Sequence, residues 1–94
     1  MADDLGLPGW VLTDHARNEL IRRALPVELV RAVVADPAQR RQVRPGREVW
    51  QSRLLLGAPP SPYLIRVIVD VDRWPKEVVT AYRTSKLAKY WREP

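Results

Sequence analysis

Residues 63–71, Tyr-Leu-Ile-Arg-Val-Ile-Val-Asp-Val, decide the fold. The run is rich in β-branched residues, whose restricted χ1 suits a pleated strand better than a helical turn. Asp72-Arg-Trp-Pro75 then turns the chain, and Val78 to Tyr82 reads as a second strand. Upstream, Gly57-Ala-Pro-Pro-Ser-Pro62 is expected to be a stiff connecting loop and not strand. Before that loop, Arg41–Val43 and Arg47–Leu55 flank Pro45-Gly46, a pair that supplies the negative and positive φ of a type II turn and so predicts a hairpin.

Toward the N-terminus the apolar period changes from two to that of a helix. Thr13 and Asp14 are good caps, and Ala16, Leu20, Ile21 and Ala24 form the stripe of an amphipathic helix from Asp14 to about Ala24. Leu25-Pro26 breaks it, and Pro26 suits the start of a second helix, Val27–Ala35, with Glu28 and Arg31 on its wet face. Asp36-Pro37 ends that helix. Residues 1–9 have little periodicity and are expected to be a loose arm, and Trp10–Leu12 could form a short strand. Thr84-Ser85 can cap a last helical turn through Lys86, Leu87, Lys89, Tyr90 and Trp91. Helices followed by strands predict a single α+β domain over residues 1–94: two N-terminal helices on one face of a four-stranded antiparallel sheet, a short C-terminal helical tail, and the other face partly open.

At 94 residues the chain has room for one core and a shallow groove. It contains no cysteine and one histidine, which removes disulfides, thiolate metal sites and a cysteine nucleophile, and leaves no cluster for zinc. Neither metal nor cofactor is expected. The opening MADDLGLPGW lacks the pattern of a signal peptide, and no window approaches a membrane span, so a cytoplasmic protein with no membrane partner is expected. The net charge of +5 is uneven: residues 1–39 carry four Lys/Arg against six Asp/Glu, residues 40–94 twelve against five. A polyanion or an acidic protein is the natural ligand of such a surface, although the same cations also serve to solvate strands and blunt sheet edges.

Three groups stand out chemically. His15, in the first turn of the first helix, is the one side chain whose ordinary pKa lies near neutrality; it is either a proton carrier or a surface histidine. In Val78-Val-Thr-Ala-Tyr-Arg-Thr-Ser-Lys86, alternation sets Val78, Thr80 and Tyr82 on one face and Val79, Ala81 and Arg83 on the other, and Lys86, Lys89, Tyr90, Trp91 and Arg92 follow. Cations interleaved with rings suit single-stranded nucleic acid, while the rings could equally dock the tail on the sheet. Arg66 interrupts an apolar strand, aligned with Leu64, Ile68 and Asp70; it is expected either to pair with Glu48 or Glu77 on a neighbouring strand or to face an anion. Phosphate loops, paired catalytic carboxylates and Ser/His/Asp sets are absent.

Thr13-Asp-His-Ala-Arg17, Ile21-Arg-Arg-Ala24, Val30 to Pro37 ending in Ala-Asp-Pro, Pro45-Gly-Arg-Glu-Val-Trp50, Val78 to Lys86 and Lys89-Tyr-Trp91 together resemble the DUF4258 family, small bacterial domains similar to the RelE/ParE and BrnT toxins. The likeness runs from about residue 13 to residue 92. It implies a metal-independent endoribonuclease of a toxin–antitoxin pair that cuts free or ribosome-bound mRNA by driving a ribose 2′-OH onto the adjacent phosphate, with an acidic antitoxin protein as partner. Such chemistry needs a proton acceptor, a proton donor and cations for the phosphorane. On this sequence the resemblance implies His15 as acid or base, Arg66 and Arg83 as phosphate clamps, Lys86 as a second cation and Tyr82 as a stacking or proton-donating group. Arg47, Lys89, Tyr90 and Arg92 are expected to contact RNA. A non-catalytic RNA- or protein-binding module and a gyrase-poisoning toxin are the alternatives, since fold likeness leaves activity open.

Overall fold

Gly46 fixes the first hairpin: its φ of +82° is open to glycine at little cost, and a Cβ there would lie 2.4 Å from the Asp72 carboxylate. From such reversals the described residues build nine elements. The computed structural model describes residues 3–93, with side chains from Leu5 onward. Its elements are β1 (Asp3–Asp4), β2 (Trp10–Leu12), α1 (Asp14–Arg22), α2 (Val27–Ala35), β3 (Gln39–Arg44), β4 (Arg47–Leu56), β5 (Ser61–Asp70), β6 (Lys76–Thr84) and α3 (Leu87–Tyr90).

The strands form one sheet in the order β1-β2-β6-β5-β4-β3. The four long strands are antiparallel, as expected, but they are one part of a larger mixed sheet that extends beyond β6. Trp10 pairs with Lys76 and Leu12 with Val78, so β2 lies parallel to β6, and the two-residue β1 adds outside it. The chain therefore leaves β2 near one edge of the sheet and re-enters at β3 on the other, which carries the two helices across one face. Thr13 starts α1 by accepting the Ala16 N–H at 3.0 Å, and α2 starts directly after Pro26.

The helices set Ala16, Leu20, Val30 and Val33 against Trp50, Ile65, Val67, Val69, Val78 and Ala81. Each large apolar side chain buried this way contributes about 1.5–3 kcal/mol before ordering costs. In β6 the strict alternation expected from sequence fails. Thr80 pairs with Ile68 but Val78 pairs with Val69, so Val79 is an extra residue in a β-bulge. The bulge moves Val78 to the face of Ala81, and both are fully buried in the core.

Two further expectations are corrected. The segment expected as a loose arm is tied down from residue 3 onward: Leu5 is 1% exposed and its carbonyl accepts from Arg31 Nε, which also takes Arg31 off the wet face of α2. Residues 1 and 2 lie outside the described residues. Ser61 and Pro62, expected in the loop, already pair with Leu56 and Leu55 as the start of β5, where a proline is tolerated at a strand's beginning. Among the described residues no helix is long and apolar enough to cross a membrane.

Candidate functional site

The face of the sheet away from α1 and α2 carries a row of polar side chains that runs across four strands. Register places Gln39 of β3 opposite Gln51 of β4, Gln51 opposite Arg66 of β5, and Arg66 opposite Tyr82 of β6. The side chains follow the register. Gln51 Nε2 donates to Gln39 Oε1 at 2.7 Å, Arg66 Nε donates to Gln51 Oε1 at 3.0 Å, and Arg66 Nη1 donates to the Tyr82 hydroxyl at 2.7 Å.

The C-terminal segment lies over this row. The Arg66 guanidinium stacks 3.9 Å from the centroid of the Tyr90 ring, and Tyr90 meets Tyr82 edge to face at 6.5 Å. Gln51 Nε2 also donates to the Tyr90 carbonyl, at 3.1 Å. Gln39 holds both backbone groups of Arg92, donating to its carbonyl and accepting its N–H. Farther along, Arg53 stacks on Trp91 at 4.4 Å. Between segment and sheet is a cleft of about 190 Å³ whose walls include Arg41, Arg66, Arg92, Gln51 and Tyr90.

Arg66 is 8% exposed, yet its partners are an amide, a phenol and an aromatic face. No carboxylate of the described residues pairs with it. Glu48 lies on the opposite face, bound by Trp50 Nε1 and Arg40, and Glu77 pairs with Arg73, so neither acid is the partner considered for Arg66 from sequence. A buried guanidinium without a counter-ion is held at a cost that hydrogen bonds and a ring offset only in part. Burial pushes the Tyr82 phenol above its ordinary pKa, against the opposing pull of Arg66. The phenol therefore stays protonated through the physiological range.

The residues assigned from sequence do not all meet. Arg66, Tyr82 and Tyr90 come together. Arg83 pairs with Ile65 on the core-facing side of the strand, exposed beyond the helices with its guanidinium 5.9 Å from the Tyr63 ring, so it points away from Arg66. His15 is exposed on α1, 3.9 Å from Glu19. Its nearest link to the row is through Glu19 and Arg23, whose Nη1 donates to Thr80 Oγ1 and the Ala81 carbonyl and whose guanidinium is 5.9 Å from the Tyr82 ring. Arg23 is eight residues on from His15, about 12 Å along a helix. Lys86 and Lys89 are exposed at the start and end of α3, Lys89 Nζ being 5.1 Å from the Tyr90 ring.

Arg47 shares the open face but is engaged elsewhere. It donates from Nε and Nη2 to the two oxygens of Asp70, at 2.7 and 3.1 Å. The Arg47 hydrogen bonds hold the Asp70 carboxyl below the usual aspartate pKa, against the effect of burial. A depressed folded pKa means stabilisation that is complete above the unfolded value near 3.9 and lost as pH falls through the folded one. Asp70→Asn is accordingly expected to lower stability by about 1–2 kcal/mol at pH 7. In urea titrations the gap between the two proteins should narrow as pH falls below the ordinary aspartate value and close once the folded carboxyl is protonated; a gap independent of pH would show that this pair does not stabilise the fold.

Gln39, Gln51, Arg41 and Arg23 escape notice in sequence. Gln51 alternates correctly with Val49, but nothing local marks it as the partner of Arg66. Compared with protein-family models, with curated proteins and with solved structures, the chain matches none.

Proposed function

We propose that this chain binds single-stranded RNA through its phosphate backbone on the open face of the sheet, with Arg66 as the anchor. The observation that carries this is a guanidinium that is 8% exposed and has no carboxylate partner among the described residues. An incoming phosphate supplies the missing counter-charge. Arg41 and Arg92 line the same cleft, and the rings of Tyr90 and Trp91 offer stacking surfaces to bases, which favours nucleic acid over an acidic polypeptide.

The test is fluorescence anisotropy with a labelled single-stranded RNA across a salt series. Three phosphates neutralised correspond to a log–log slope of about −2 for a single strand. Binding of polyglutamate in place of RNA, or RNA binding without salt dependence, overturns the proposal.

A second reading, metal-independent cleavage in the manner of a toxin endoribonuclease, rests on one contact: a phenol kept protonated lies 2.7 Å from the anchoring guanidinium, a proton donor beside a phosphate clamp. His15 is too remote to act with them directly, so any base must come from elsewhere on the open face. Incubation with RNA in EDTA tests it, the expected product ending in a 2′,3′-cyclic phosphate whose formation Tyr82→Phe suppresses. Intact RNA after prolonged incubation with binding-competent protein ends that reading and leaves the first in place.

A further inference from the structure

Building on the RNA-binding proposal, we infer that the cleft beneath the C-terminal segment takes the terminal phosphomonoester of an RNA, so that a phosphorylated chain end is bound in preference to a hydroxyl end.

Three observations converge. The first is size: at about 190 Å³ the cleft is smaller than the roughly 300–1,000 Å³ of sites that enclose a whole drug-sized ligand, and it suits a single charged group. The second is closure. Residues 90–92 lie across the row, with the Tyr90 carbonyl tied to Gln51 and both backbone groups of Arg92 tied to Gln39. A polynucleotide cannot run straight along the Gln39–Gln51 line without displacing this segment, whereas a chain end can enter beside it. The third is charge. Arg41, Arg66 and Arg92 line the cleft and no Asp or Glu of the described residues does. Arg41 has no ion pair or hydrogen-bonded side-chain partner among the described residues, and Arg66 uses Nε and Nη1 internally, leaving Nη2 to a ligand. A phosphomonoester carries close to two charges at neutral pH and presents three terminal oxygens to these donors; an internal diester carries one charge and has two free oxygens.

The charge argument gives a pH signature. The second ionisation of a phosphomonoester lies near pH 6. The ionisable groups facing the cleft are Arg41 of β3, Arg66 of β5 and Tyr90 and Arg92 of the C-terminal segment, with Arg40 at its rim and Lys89 beside the Tyr90 ring. Guanidinium, ammonium and phenol groups ordinarily change charge far above pH 6. The single histidine is on α1, across the sheet. A preference that fades near pH 6 is therefore the ligand's own titration.

The experiment uses the full chain and one RNA sequence in three forms: 5′-phosphate, 3′-phosphate and both ends hydroxyl. At pH 7.5 one phosphorylated form is expected to bind about tenfold or more tighter than the hydroxyl form, a step of about 1.4 kcal/mol. Inorganic phosphate should compete that advantage away. The ratio should fall toward unity at pH 5, and it should shrink in Arg41→Gln. A chain ending at Lys89, which lacks the covering segment, should bind both forms with no preference between ends. If all three RNAs bind equally and salt-dependently, the end-recognition inference is overturned and RNA binding stands. If none binds, both fall. An advantage that persists unchanged at pH 5 also overturns it, since the extra charge is then not what is read.

Discussion

Arg66→Met is expected to weaken RNA binding by about ten- to a hundredfold, about 1.4–2.8 kcal/mol, while the protein remains folded. Methionine fills much of the same volume and is tolerated in irregular packing. Its cost to the fold has two opposing parts. The Gln51 Oε1 and the Tyr82 hydroxyl lose their donor, at about 1–3 kcal/mol for a buried group left unsatisfied. Against this, a buried charge without a carboxylate partner disappears, which relieves part of its desolvation. The net effect is a loss of about 1–2 kcal/mol, small beside the effect on binding. Arg66→Lys separates charge from geometry: an ammonium keeps the charge but cannot span Gln51 and Tyr82 or lie flat on Tyr90. It should bind RNA at intermediate strength with a similar salt slope. Anisotropy gives the affinity and urea titration the stability. Undiminished affinity in the methionine variant would remove Arg66 as anchor and with it the proposed site.

Why so much of the architecture could be read from the chain, and so little of the site, has a physical cause. In residues 63–71 one side of the strand is buried against helices, so Ile65, Val67 and Val69 had to be apolar, and the β-branched run marked the strand. The helices likewise announced themselves by caps and a proline. The bulge at Val79 left no such mark, because a single extra valine among valines and alanine does not disturb composition while it turns the preceding residue to the other face. The polar row depends on register between four strands, which is a property of turn lengths and bulges summed over residues 39–82. No local pattern encodes that Gln39, Gln51, Arg66 and Tyr82 stand side by side. Of these four, Arg66 was conspicuous by its place, since a guanidinium in an apolar strand is costly wherever it points, and Tyr82 was named through the family resemblance. Leu5 was missed for the same long-range reason: its place is set by Arg31, 26 residues away.

Trp50→Ala should have the largest effect on the fold, and the reason lies in where alternation puts it. Trp50 follows Val49 and precedes Gln51, so it faces the core while its neighbours face the polar row. Its ring meets Trp10 edge to face at 5.0 Å, joining β4 to the outlying β2 across the sheet. Its Nε1 donates to Glu48 Oε1 at 2.8 Å, and that same oxygen accepts from Arg40, whose guanidinium stacks 4.2 Å from the indole. Deleting the ring empties a large core volume, removes the Glu48 donor and leaves Arg40 without its platform. Truncation of a buried tryptophan typically costs about 3–5 kcal/mol, against about 5–14 kcal/mol of total stability for a domain of this length. The midpoint of thermal unfolding is expected to fall by about 15–30 °C. Trp50→Phe keeps most of the packing and loses chiefly the hydrogen bond, for about 1–1.5 kcal/mol. Because residue 50 and residue 51 point to opposite faces, Trp50→Phe should leave RNA affinity within about twofold of the parent although stability drops. Arg66→Met should do the reverse. A strand that alternates between a helix-covered side and an open one separates what holds the domain together from the face proposed to meet RNA. Equal loss of affinity in both variants would mean that the two faces are not independent.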